Sequence, residues 1–225
     1  MEATITNGTH ETLEQTNQPA ALRLSAKFLS YILHPLFIPT YIFFWLVWRF
    51  PTEFAGITPL TMFTRKFGVF WMSAFFPAFS IFLMWRLKFI DNMYLRTQKE
   101  RIAPYMITMI FYWWLWYLSR NFTDQPEVLR FFYFGIMLNT VVGLTANNFF
   151  KISMHAMGAG SAVTFVILTA LYYQVYIGPD IIITILLAGI ICTARLLLSE
   201  HNNYEIYTGL FVGVFCQILS KWFIM

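Results

Sequence analysis

Charge is what this chain has least of. Asp, Glu, Lys and Arg make up 12% of its 225 residues, against roughly 25% in soluble domains. Apolar residues make up 58% and the mean hydropathy is +0.59. That imbalance excludes an ordinary soluble domain of this size. Cysteine is scarce too. The two present, Cys192 and Cys216, both lie in apolar runs. They exclude a disulfide framework or a cysteine-built metal cluster and read as small buried hydrophobes. The basic excess is only +4. It points to anionic head groups and not to nucleic acid, which is not an expected partner. Internal repeats and low-complexity tracts are lacking. The first twenty residues have no apolar core of the kind a signal peptide needs. The expected organisation is a polar N-terminal tail over 1–25 and a single transmembrane domain over 26–225.

What the chain has is apolar runs. A helix that crosses the hydrocarbon needs about 20 mostly apolar residues. Seven segments approach this: 27–48, 67–87, 103–119, 128–149, 154–174, 180–198 and 204–224. The expected fold is therefore all-α, a polytopic transmembrane helical bundle of six to seven spans in a lipid bilayer. The first run contains HPLFIPT, where Pro35 and Pro39 kink or break the helix. If that run is re-entrant, six full spans remain. Seven antiparallel passes put the N-terminus and the second, fourth and sixth connections on one face, called face A here. His34 then lies in the first third of its span from face A.

The ionisable residues favour that face. Arg96, Lys99, Arg101, Lys151, His155, Arg195, His201 and Glu205 all map to helix ends there. Arg49, Arg65, Lys66, Arg120 and Arg130 are spread along the opposite loops. Arg195 sits in IICTARLLLSEH. A charge inside a span is costly and marks a candidate site by default, although a snorkelling arginine is the plain alternative. His201 and Glu205 are four residues apart, one helical turn. The carboxylate can take the proton of one imidazole nitrogen and leave the other as base, nucleophile or ligand. Ser153 precedes His155 in KISMHAMGAG. It can act as a helix N-cap, or the free N–H groups of that first turn can take an anion. Gly158, Ala159 and Gly160 admit a close neighbouring helix. In RTQKERIAPY, Pro104 reads as a helix-starting proline, with three cations before it.

Together these residues suit phosphoryl transfer without a metal. Guanidinium and ammonium groups hold the phosphate and offset its charge in the transition state. One histidine attacks phosphorus and another protonates the leaving oxygen. Two histidines and a carboxylate can also face a metal, but the flanking arginines repel a cation. No cofactor is expected.

The order and spacing of these residues resemble the type 2 phosphatidic acid phosphatase superfamily. These integral-membrane lipid phosphate phosphatases are related to vanadium haloperoxidases. The family carries a basic stretch ending in Arg-Pro, then Pro-Ser-Gly-His, then Ser-Arg, five residues, His, three residues, Asp. This chain has Arg96, Lys99, Arg101 and Pro104, then Ile152-Ser153-Met154-His155, then Ala194-Arg195, five residues, His201, three residues, Glu205. The likeness covers about 96–209. It implies an enzyme that hydrolyses a membrane lipid phosphate or diphosphate through a phosphohistidine. His201 would be the nucleophile, Glu205 its orienting partner and His155 the general acid. Arg101, Arg195 and Ser153 would hold the phosphate, with Lys99 or Arg96 in the remaining cationic role; beside them, Lys151 is a further candidate phosphate holder. The expected location is a bacterial inner membrane. The alternative is a non-catalytic protein of the same fold that binds or carries anionic lipids.

Overall fold

The computed structural model describes residues 19–90, 97–122 and 124–225. Every regular element in it is helical. The first pass is broken where the prolines fall. An alanine-rich start favours helix, and α1 runs Ala20–Ile32. Residues 20–25, read from sequence as tail, therefore belong to this helix. Pro35 forces the residue before it out of the helical region, and His34 accordingly takes φ −65, ψ 137. A 3₁₀ turn over Pro35–Phe37 follows, and α2 runs Ile38–Arg49. Pro39 lies in the first turn of α2, where its missing N–H costs nothing.

The second pass is α3 (Pro59–Phe70), a five-residue π turn (Trp71–Phe75) and α4 (Phe76–Arg86). Pro77 explains the π turn. Its ring collides with the carbonyl four residues back, at Ser73, and the helix widens there instead of breaking. The Ser73 hydroxyl meets Thr40 Oγ1 of α2 at 3.2 Å in a buried contact.

The third pass, α5 (Gln98–Asn121), begins well before Pro104. Pro104 was expected to start the helix and instead lies inside it. The reason is a capping box that the sequence carries in TQKE. Glu100 N–H donates to Thr97 Oγ1 at 3.3 Å, and the Glu100 carboxylate accepts from Thr97 N–H at 3.0 Å. Then follow α6 (Val128–Ala146), α7 (Met154–Tyr173), α8 (Gly178–Leu197) and α9 (Asn203–Ile224).

Six of these passes are long and apolar enough to cross a membrane. At 24 residues, α5 spans about 36 Å and runs antiparallel to α6 along the bundle. Its start meets the end of α6, where Asn147 Nδ2 donates to Gln98 O at 2.8 Å. Near its far end Trp116 packs on Phe134. The chain is thus a multi-pass helical membrane protein. Its outer surface is apolar, with Ile182, Ile183 and Leu186 of α8 and Phe211 and Phe215 of α9 exposed. Its interior is joined by polar groups, as expected where lipid offers no hydrophobic drive. Gln217 Nε2, for example, donates to Phe132 O at 3.3 Å.

Helices α7 and α9 approach most closely, and glycine permits it. A Cβ on Gly213 would lie 2.2 Å from Met157 O, and one on Gly160 would lie 2.4 Å from Leu210 O. This contact brings the starts of α7 and α9 together at face A.

Candidate active site

Three helices begin at face A with side-chain caps. Thr97 caps α5, Ser153 caps α7 and Asn202 caps α9. Helices α6 and α8 end beside them. The short connections 147–153 and 198–202 hold these five ends together.

His201 stands in the connection before α9, 3% exposed. Its Nδ1 lies 2.8 Å from Glu205 Oε2 and 3.2 Å from the Lys151 carbonyl. Both partners only accept, so Nδ1 carries the proton and Nε2 presents its lone pair. Glu205 also accepts from Asn202 N–H at 3.3 Å, while its own N–H donates to Asn202 Oδ1 at 2.8 Å. This capping box explains a glutamate at that position: one carboxylate closes the first turn of α9 and orients His201. Burial, with smaller contributions from Arg101 and Arg195, pulls the His201 pKa from 6.5 to about 4, although the bond to Glu205 pulls it upward. The ring is neutral at physiological pH.

Two buried guanidiniums adjoin it. Arg101 is 5% exposed and Arg195 7%. Arg101 Nη1 donates to the Ile152 carbonyl at 3.3 Å. Arg195 is ion-paired to Glu200, and its buried Nε has no hydrogen-bond partner among the described residues. The Lys151 ammonium donates to Glu200 O at 3.2 Å. Ser153 is buried. Its N–H donates to Glu205 O at 3.3 Å, and its hydroxyl accepts from Ala156 N–H at 3.4 Å. That hydroxyl is the α7 cap, the plainer of its two sequence readings.

His155, in the first turn of α7, has Nε2 3.2 Å from the Ser30 carbonyl. A carbonyl only accepts, so Nε2 carries the proton and Nδ1 is the bare nitrogen. The His155 ring meets that of His34 edge-on, with centroids 5.0 Å apart. His34 Nδ1 accepts from Leu36 N–H at 3.3 Å. Arg195 lies within electrostatic reach of His34, His155 and His201.

The structure thus gathers His201, Glu205, His155, Arg101, Arg195, Lys151 and Ser153 at one end of the bundle. It does not gather Lys99, which is exposed and, among the described residues, has no hydrogen bond or ion pair. Two residues from Arg101, it faces away from it on the helix. Arg96 lies outside the described residues. Sequence reasoning gave no role to His34 or Glu200. The signal for His34 was a histidine directly before the helix-breaking Pro35. The signal for Glu200 was an acid five residues from a buried arginine. No three His, Cys, Asp or Glu side chains form a metal-binding group among the described residues.

Compared with family models, curated proteins and solved structures, the chain matches none.

Proposed function

We propose that this protein is a metal-independent phosphatase of the type 2 phosphatidic acid phosphatase kind, acting on a membrane lipid phosphate or diphosphate. The observation that carries the reading is the His201–Glu205 pair at 2.8 Å, which leaves Nε2 unprotonated beside two buried guanidiniums. In this reading the Nε2 lone pair attacks phosphorus and the bond to the lipid oxygen breaks. His155, protonated at Nδ1 in the substrate complex and held through Nε2 by Ser30, gives that proton to the leaving alkoxide. Water then attacks the phosphohistidine with His155 as base, which releases phosphate and restores neutral His201. Arg101 and Arg195 offset the charge on the phosphoryl oxygens. The proposed location remains a bacterial inner membrane.

One observation favours the alternative of a non-catalytic anionic-lipid binder. Arg195 already has Glu200, and the Ser153 hydroxyl is occupied as a cap. Phosphate release from a panel of lipid phosphates in detergent, with and without a divalent chelator, separates the two. Release that is unaffected by chelator, with acid-labile phosphate on wild type and none on His201→Ala, is the expected result. Binding without release supports the alternative, and release that requires added magnesium or zinc rules out the proposed mechanism.

A further inference from the structure

The face A site holds two carboxylates, and the fold treats them differently. Glu205 is fixed. Its side chain is 15% exposed, it orients His201, and it closes the first turn of α9. The Glu200 side chain is 45% exposed, and among the described residues its one hydrogen bond or ion pair is to Arg195. The Arg195 side chain is 8% exposed. The open carboxylate therefore lies on the solvent side of the sealed guanidinium.

A Schellman turn puts Glu200 there. Helix α8 ends at Leu197. Ser199 N–H donates to Leu196 O at 2.9 Å and Glu200 N–H donates to Arg195 O at 3.4 Å, the two bonds of that motif. Ser199 takes φ +52, at the left-handed position that glycine usually fills. The Glu200 carbonyl accepts from the Lys151 ammonium at 3.2 Å. The Glu200 backbone is thus held through both its N–H and its carbonyl. Its carboxylate can leave Arg195 by rotation of the side chain alone. That side chain already meets water, so desolvation opposes its release little.

We propose that Glu200 is a displaceable internal ligand of the phosphate site: its carboxylate holds the place on Arg195 that a substrate phosphate takes, and it swings out to water when the phosphate arrives. A carboxylate and a phosphate offer a guanidinium the same thing, paired acceptor oxygens for its forked N–H donors. They therefore compete for Arg195. Without substrate, Glu200 neutralises a guanidinium whose charge is costly to bury alone. An arriving anion gains Arg195 only by displacing it, so the closed site is self-inhibited. This inference rests on the reading of the face A cluster as a phosphate site. It also reconciles the Arg195–Glu200 pair with that reading, since a partner that can leave does not block the site.

The test uses the full chain in detergent and inorganic phosphate as the probe, with binding read by isothermal titration calorimetry and folding checked by thermal melting. A site that is open about one-tenth of the time binds about tenfold more weakly than its open form. Glu200→Gln, which loosens the hold on Arg195, is therefore expected to bind phosphate about five- to tenfold tighter than wild type. Loss of any nearby negative charge also strengthens anion binding, so Glu200→Asp is the deciding variant. It keeps the charge and shortens the arm by one methylene. Tightening of about threefold or more in Glu200→Asp as well as in Glu200→Gln is the expected result. A gain in Glu200→Gln alone, with Glu200→Asp equal to wild type, is a plain charge effect and overturns the inference. Equal affinity in all three proteins also overturns it, while the phosphate site itself stands. Phosphate binding by none of them removes the phosphate site and the displaceable ligand together. The measurement needs no turnover, so a failed phosphatase assay does not bear on it.

Discussion

The two ends of this bundle treat charge in opposite ways. At the opposite end, called face B, the charges lie in ion pairs that keep an exposed partner, as Arg195–Glu200 also does at face A. Arg49 meets Asp180 at 3.5 Å, Arg130 meets Glu127 at 3.7 Å and Arg65 meets Asp124, each with at least one partner well exposed. Such pairs contribute about 0–1 kcal/mol. Aromatic residues surround them, as at any membrane interface: Trp48 and Tyr176 are exposed there. At face A, Arg101, Arg195 and His201 are nearly sealed from solvent. Burying charge is costly even when paired, and more so near hydrocarbon. Stability does not explain that arrangement, because apolar residues would serve better. The difference is what the proposed site at face A would require.

The sharpest way to break this comparison is His201→Ala. If His201 is the nucleophile proposed above, its loss should lower turnover by several orders of magnitude, with the protein still folded and inserted. Retained turnover in a purified preparation would make face A a binding or structural cluster. Next in size is His155→Ala, read through its leaving group. A lipid alkoxide needs a proton, so its release should slow by about 10²–10⁴. Nitrophenolate leaves unaided and should suffer far less. An unchanged ratio between the two substrates would remove the acid role and leave His155 as a packing partner of His34.

Replacing either buried guanidinium follows. Arg101→Gln or Arg195→Gln should cost about 10²–10³ in kcat, in the range of a lost oxyanion donor. Arg195→Gln should change stability little through Glu200, whose side chain is 45% exposed and keeps its water. Thermal melting and kcat, measured on the same preparations, check both statements. Equal kinetic losses in Arg65→Gln would abolish the contrast between the ends.

Much of face A was legible in the sequence because membrane segments make charge conspicuous. Arg195 stands out among leucines, and the four-residue step from His201 to Glu205 predicts the contact observed. The all-α bundle was legible for the same reason. What was missed has local causes. The capping box in TQKE starts α5 early, so Pro104 sits inside a helix it was expected to begin. Lys99 belongs to the same basic stretch as Arg101, but helical geometry sends it outward. His34 and Glu200 reach face A only because the break at Pro35 and the turn at Ser199 bring them there.

The ends should also differ in pH response. The unfolded chain protonates a histidine near 6.5, whereas folded His201 does so only near 4. Between these values the unfolded state binds more protons, so stability is greatest above about 6.5 and falls as pH drops towards 4. Turnover that depends on the His201 lone pair should fall through about pH 4 as well. At face B, the hydrogen bond from Arg65 holds the Asp124 carboxyl below its ordinary 3.8. Its contribution is present above that value and is lost only below it. Melting temperature against pH, for wild type and His201→Gln, isolates the face A component. An unchanged slope in the mutant would show that His201 does not titrate this way.

The smallest expected effect is at Arg49. Its Nε lies 3.5 Å from Asp180, and its side chain is 39% exposed. Asp180 has a second partner, since Trp45 Nε1–H donates to it at 2.8 Å. It also sits in the first turn of α8, where the helix dipole favours a negative charge. Removing Arg49 therefore leaves Asp180 with a hydrogen-bond donor and a favourable helix terminus. Arg49→Gln should change stability by no more than about 1 kcal/mol, and by less in high salt. A double-mutant cycle with Asp180→Asn measures the coupling directly. A coupling of about 3 kcal/mol or more, the scale of a broken buried pair, would mean that face B also holds desolvated charge, and burial would no longer tell the two ends apart.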